Sequence, residues 1–428
     1  MRFLQNKIVQ NASWIIACKI GQALLSLAVT MISARYLGPS LYGVINYAAA
    51  VVAFVTPLTQ LGLCNVQVQE FVNHPQDEGK ILGSSILLSL ISALGCVIGC
   101  IAFVSLANHN ETETILVCAI YSILLFFQGA ELFQYWFQYK YQSKYYAIIS
   151  VVAYVVMSCY KIILLVRSKS LMWFAFSHSL EFLLILVLSY FAYKHLGGQA
   201  LGFSKDIAKR MFSKSKYYIF SSMMVVIFTQ TGKILLSIML DEETTGIYSA
   251  AVTIANLANF VFIAIIDSFR PQIFEAYKQS DELFEQKMKT LYAVIFYSSL
   301  VFCASVMVAS PLLVHIIYGQ TYNDAINLLR VVIWYNVFSF IGSARNVWIL
   351  AKGKQKWLWI INVSGAATNL GLNILLIPLI GAMGASIASI LAQIVANIVV
   401  SLLIPDIRPS IYLLIKSLDI RHLLPHKA

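Results

Sequence analysis

The chain has 428 residues, 59% of them hydrophobic and only 11% charged, with a mean hydropathy of +0.77. Soluble domains carry about 25% charged residues, so a soluble globular protein is excluded and a polytopic membrane protein is expected. The net charge of +11 would suit a nucleic-acid ligand, but most of the Lys and Arg lie between apolar runs and on one side of them, where they set orientation.

Apolar runs of about 20 residues, the length that crosses the hydrocarbon core, can be placed twelve times. They are 12–34, 42–63, 81–106, 114–137, 146–166, 171–193, 217–240, 245–268, 291–317, 325–350, 357–380 and 382–404. The predicted fold class is therefore all-α, with about 12 transmembrane helices. Lys19 interrupts the first run, which continues to Ala34, so it reads as a retained helix and not as a cleavable signal peptide. With both termini in the cytoplasm, 22 of the 30 Lys and Arg fall in cytoplasmic segments and only Arg35, Arg167 and Lys169 outside. That bias predicts an N-in, C-in topology.

A basic stretch divides the spans six and six. The expected organisation is a first six-helix lobe at 1–196, a basic cytoplasmic linker at 197–216, a second lobe at 217–405 and a cytoplasmic tail at 406–428. Setting Gly43 on Gly246 places Leu37 on Leu240, an offset of 203 residues. Both lobes start outward from the cytoplasm, so any repeat is parallel, about an axis along the membrane normal. Residues 272–290 are polar but put Ile273, Tyr277, Phe284 and Met288 on one helical face. This predicts a short interfacial helix, and the tail at 409–424 allows a second.

Cations lie inside the runs: Lys19, Lys161, Lys233, Arg330 and Arg345, with Arg35 closing the first. Each costs roughly 2.5–3.5 kcal/mol at the centre of a spanning helix on insertion scales. They are expected to face water or an anionic ligand. At about 100° per residue, Lys19 shares a face with Gln22, Ser26, Thr30 and Ser33. Lys233 shares one with Ser222, Thr229, Gln230 and Ser237. The eighth run aligns Ser249, Thr253, Asn256 and Asp267, and the fourth aligns Gln128, Glu131, Tyr135 and Gln138. Such stripes suit either a wet path or a helix–helix interface; those that carry a lysine point to the path. In the tenth run Arg330 and Arg345 share a face opposite Asn336, Ser339, Ser343 and Asn346, so cavity and interfacial positions are both open to them.

The acids Glu131, Glu181 and Asp267 are candidates for ion coupling or for counter-charge. Glu181 shares a face with His178 and is better read as a partner for Lys161 or Lys233. The seven cysteines have no metal-ligand spacing and read as apolar packers. No GxxxxGK[ST], HExxH or CxxC pattern occurs, and the outer loops are short. No metal, cofactor or enzymatic activity is therefore expected.

Residues 34–63, ARYLGPSLYGVINYAAAVVAFVTPLTQLGL, resemble the opening of the Wzx-type polysaccharide flippases of the multidrug/oligosaccharidyl-lipid/polysaccharide exporter superfamily. DEETTGIYSAA at 241–251, RPQIFEAYKQS at 270–280, YGQTYNDAINLLR at 318–330 and NLGLNILLIPLIGAMGASIAS at 369–389 follow in the same order. The resemblance implies two six-helix lobes around a central cavity in the bacterial plasma (inner) membrane. It also implies alternating access that moves undecaprenyl-pyrophosphate-linked oligosaccharide across. The implied partners are that lipid-linked substrate, membrane lipid, and a polysaccharide polymerase or chain-length regulator, with no nucleic acid. A cationic cavity suits the diphosphate: Lys19 and Lys233 come first, then Lys161, Arg330 and Arg345. Lys233 stands where relatives often carry an acid, which argues against ion coupling there. The competing readings are a multidrug exporter, a peptidoglycan-precursor flippase and, in a different class, a membrane polysaccharide polymerase.

Overall fold

The computed structural model describes the backbone at 7–108, 111–167 and 170–418, and within those stretches the side chains of residues 21, 22 and everything from 25 onward. Among the described residues every regular element is helical. Eleven helices among the described residues are long and apolar enough to cross a membrane, with Leu25–Gln60 counted as one. That helix is part of Lys7–Gln60, which Gly38 breaks at φ 72°, ψ 173°. Glycine adopts that left-handed conformation without steric cost, and Pro39 follows it, so one apparent rod becomes the first two of the twelve expected spans. The remaining ten coincide with the sequence assignments to within a few residues, except where the helices run on past the apolar core.

Two compact units divide the chain, 1–226 and 227–428, and the boundary lies inside the helix Lys205–Met239. In the first unit the connections after the second, fourth and sixth spans gather at one end. Phe71, Phe133, Trp136, Phe137 and Tyr193 form the buried core there. Two buried carboxylates hold this end together. Glu78 accepts from Trp136 Nε1 at 2.8 Å and from Lys140 Nζ at 2.5 Å. Glu70 accepts from Arg210 Nε at 3.0 Å and from Lys214 Nζ at 2.6 Å. The basic stretch after the sixth span is thus fastened to the first unit, and its last residues already belong to the seventh helix. Gly79 and Gly83 lie so close to it that a Cβ would collide with the carbonyls of Ala200 and Gly202.

In the second unit, residues 272–290 do not form the separate interfacial helix expected. Helix Asn259–Gln279 runs through to Gln279, and Asp281–Ile317 starts after one extended residue, Ser280, whose Oγ caps it by accepting from Leu283 N–H at 3.1 Å. The amphipathic face has an internal partner: Ile273, Phe284 and Met288 are buried, and Tyr277 meets Phe284 with ring centroids 5.2 Å apart. The tail does form a helix, Arg408–Ser417, whose Ile411, Leu413 and Leu414 are buried. Tyr297 Oη donates to the Leu418 carbonyl at 2.5 Å. The rest of the expected tail helix, beyond 418, lies outside the described residues.

Several spans are interrupted inside the apolar zone. The fourth passes through a 3-10 turn at Gln128–Glu131, and the eighth breaks between Asn256 and Asn259. The tenth breaks between Val332 and Tyr335, and the twelfth contains a π turn at Val395–Val399. In hydrocarbon, irregular backbone is tolerated only where protein or a wet cavity satisfies it.

Candidate functional site

Among the described residues, each unit contains a cavity with polar side chains in its wall. The cavity of the first unit has a volume of about 260 Å³. The first span contributes Ser26, Thr30 and Ser33, three members of the five-residue stripe read from the sequence. The fifth contributes Tyr154 and Lys161, and the sixth His178 and Glu181. Lys161 is only 4% exposed, with Nζ 3.4 Å from Glu181 Oε2 and 3.4 Å from His178 Nδ1. A buried ammonium needs such a counter-charge. Beside it, His178 Nδ1 is suited to accept and Nε2 to carry the proton. Tyr121 and Phe174 fix the His178 ring, with centroids at 4.8 and 6.0 Å. Ser33 Oγ is buried at the wall without a hydrogen-bond partner.

The other acids separate into different roles. Glu131, in the 3-10 turn of the fourth span, accepts from Gln60 Nε2 at 2.6 Å, and Gln128 Nε2 donates to Thr56 Oγ1 at 3.3 Å. Among the described residues Glu131 makes no ion pair. Asp267 is exposed and pairs with Arg270 at 2.9 Å, one turn on. Unlike Asn256, Asp267 does not line the cavity of the second unit.

In the second unit a cavity of about 150 Å³ opens beside the broken spans. Thr229 of the seventh span, Tyr248, Asn256 and Asn259 of the eighth, Tyr335 of the tenth and Gln393 of the twelfth line it, and none of its described lining residues is charged. Asn256 Oδ1 accepts from Asn259 Nδ2 at 2.8 Å and from Tyr335 Oη. Asn259 Oδ1 is buried without a partner. Lys233 lies one helical turn after Thr229, partly exposed, so the two share a face.

Three of the expected cavity cations, Lys233, Arg330 and Arg345, line neither cavity. Arg345 is 1% exposed and has a structural role: its guanidinium donates to the carbonyls of Ala396 and Asn397 at 3.3 and 3.0 Å and to Ser401 Oγ at 2.7 Å. Both carbonyls belong to the π turn at Val395–Val399, so Arg345 ties that turn to the tenth span. Arg330 is exposed, donates to Ser310 Oγ at 3.1 Å and lines neither cavity. The break at 333–334 destroys the common face predicted for the two arginines. Gln22, Ser222, Gln230 and Thr253 line neither cavity, and Thr253 bonds back to the Ser249 carbonyl at 2.7 Å. The side chain of Lys19 lies outside the described residues. Sequence reasoning missed Tyr248, Asn259, Tyr335 and Gln393; an asparagine on each side of a mid-span break was the available signal.

The model of the family described as polysaccharide biosynthesis protein matches residues 8–277. The chain belongs to this family. No curated protein matches the sequence. The inward-facing form of a multidrug resistance MATE family transporter of the MOP superfamily has a TM-score of 0.71 at 15% identity, over 93% of this chain and 96% of the other. The Lipid II flippase MurJ, in an inward closed conformation, has 0.66 at 14% identity, over 94% and 90%. A MOP superfamily transporter from Pyrococcus furiosus, described as having a binding pocket of reverse polarity, has 0.51 at 14%, over 97% and 94%. At these identities the likeness establishes the fold: this member of the polysaccharide biosynthesis family has the architecture of MOP superfamily transporters.

Proposed function

We propose that this protein is a flippase that moves undecaprenyl-diphosphate-linked oligosaccharide units across a bacterial plasma membrane by alternating access. The termini face the cytoplasm, and a polymerase or chain-length regulator takes the product outside. The observation that carries the reading is the family match over 8–277. A diphosphate headgroup with its sugar cannot enter hydrocarbon unaided, so its carrier needs polar cavities and a cation within the bilayer. Both are features of this chain. Lys233 is the first choice for the diphosphate among the described cations, because it is partly exposed and lies one helical turn from Thr229 of the second cavity's wall. Lys19 remains its proposed companion on sequence grounds.

The likeness to a Lipid II flippase favours a second reading within the same chemistry, transport of the peptidoglycan precursor. Depletion of the protein followed by a leaflet-resolved assay of lipid-linked sugar separates the alternatives. The proposal expects oligosaccharide-lipid to accumulate on the inner leaflet of viable cells that lack surface polysaccharide. Lethality with trapped peptidoglycan precursor selects the second reading. Single repeat units accumulating outside would sink both and point to a polymerase.

A further inference from the structure

We infer that the cavity of the second unit is a sugar subsite: it takes one uncharged pyranose ring of the transported molecule and reads it through amides and hydroxyls. The inference rests on the flippase reading and deepens it by assigning a place and a chemistry to substrate recognition. Three observations carry it. First, the lining is polar but uncharged, with Asn256, Asn259, Gln393, Ser389 and two tyrosines. A carboxamide offers donor and acceptor together, and so does each sugar hydroxyl. A cationic drug would instead call for a carboxylate, and an anionic sugar for a lysine or arginine at the wall. Second, the site has unused hydrogen-bonding capacity. Asn259 Oδ1 is buried with no partner, while Ser389 Oγ donates to the Ala385 carbonyl at 2.9 Å and meets Tyr248 Oη only at a long 3.4 Å, so its oxygen can still accept from a ligand. A buried acceptor left unmade is costly, and a hydroxyl donor entering the cavity would satisfy it. Third, the size fits. An engineered protein cavity of about 150 Å³ admits one benzene ring, and this cavity has the same volume. It therefore suits one six-membered sugar ring and not a whole repeat unit. Tyr248 and Tyr335 supply flat apolar faces with polar tips, which pack against the C–H face of such a ring.

The test uses the full-length protein, purified in detergent from cells that make its surface polysaccharide and weighed intact with its bound lipids by native mass spectrometry. Sugar-free undecaprenyl diphosphate added to the same preparations is the second probe. The wild type is expected to retain the sugar-bearing lipid. Asn256→Ala should retain at least tenfold less. Ser389→Ala, which keeps the helix and removes one hydroxyl, should retain about three- to tenfold less, the worth of one hydrogen bond. Both variants should bind undecaprenyl diphosphate as the wild type does. Equal retention of the sugar-lipid by wild type and Ser389→Ala would overturn the subsite, as would parallel loss of both lipids. A wild type that holds ordinary phospholipid alone and ignores both probes would overturn the flippase reading itself.

Discussion

At the residue scale the decisive contrast is between cations that look alike in sequence. Lys161, Lys233, Arg330 and Arg345 each interrupt an apolar run, yet one is paired and buried, one is partly exposed a helical turn from a cavity-lining threonine, one is exposed and one is part of the scaffold. The Lys161–Glu181 partnership was legible in part: the sequence offered Glu181 to Lys161 or Lys233, and only the packing of the fifth span on the sixth decides for Lys161. The role of Arg345 was not, since a π turn leaves no trace in hydropathy or in a 100° face. Removing one member of a buried pair costs about 3–5 kcal/mol, whereas replacing both by apolar groups is often neutral. Glu181→Gln is therefore expected to lower the thermal unfolding temperature in detergent markedly, and Lys161→Met with Glu181→Leu to restore most of it. A double variant as unstable as the single one would show that the pair is not the stabilising unit. Lys233→Glu should abolish surface polysaccharide while leaving protein abundance unchanged, by immunoblot. Normal display in that variant would remove Lys233 from the diphosphate site.

At the scale of elements, the spans were legible because length and hydropathy alone decide what crosses a bilayer. Their interruptions were not. The breaks at 128–131, 257–258, 333–334 and 395–399 depend on which neighbours accept the freed backbone groups, and a single apolar run does not encode that. The expected interfacial helix at 272–290 failed for a related reason: an amphipathic face shows that something covers it, and here a neighbouring helix does. Between the second and third spans, burial works against a charged Glu70, but Lys214 and Arg210 outweigh it and hold the carboxyl below its ordinary range. Its folded-state pKa is depressed, so the contribution to stability is whole above the ordinary carboxylate pKa of about 4.3. It fades as pH falls through the lowered folded value. Thermal unfolding of the wild type should therefore show an acid-side decline that Glu70→Gln lacks. At neutral pH that variant should be less stable by about 1–3 kcal/mol. Identical pH profiles for the two proteins would remove Glu70 as the fastening of the basic stretch. Gly83→Ala should loosen the same contact by steric collision with Gly202, seen as faster amide exchange at 199–204.

At the scale of the whole molecule, the offset of 203 residues that sets Gly43 on Gly246 also carries the turn at 128–131 onto 331–334, where the tenth span breaks. One irregularity thus recurs at that offset, whereas the break at 257–258 maps onto 54–55, inside a stretch of unbroken helix. The two units have diverged in chemistry: one cavity holds a lysine, a glutamate and a histidine, the other amides, hydroxyls and tyrosines. Transport of a lipid-linked sugar is the claim that joins these features. Its most direct test is a flipping assay in proteoliposomes loaded with undecaprenyl-diphosphate-linked oligosaccharide, read by the fraction of headgroups open to an externally added glycosidase. The wild-type protein is expected to expose headgroups from the inner leaflet at least tenfold faster than protein-free vesicles, with Lys233→Glu reduced to the protein-free rate. A wild-type rate equal to that of empty vesicles would contradict the account.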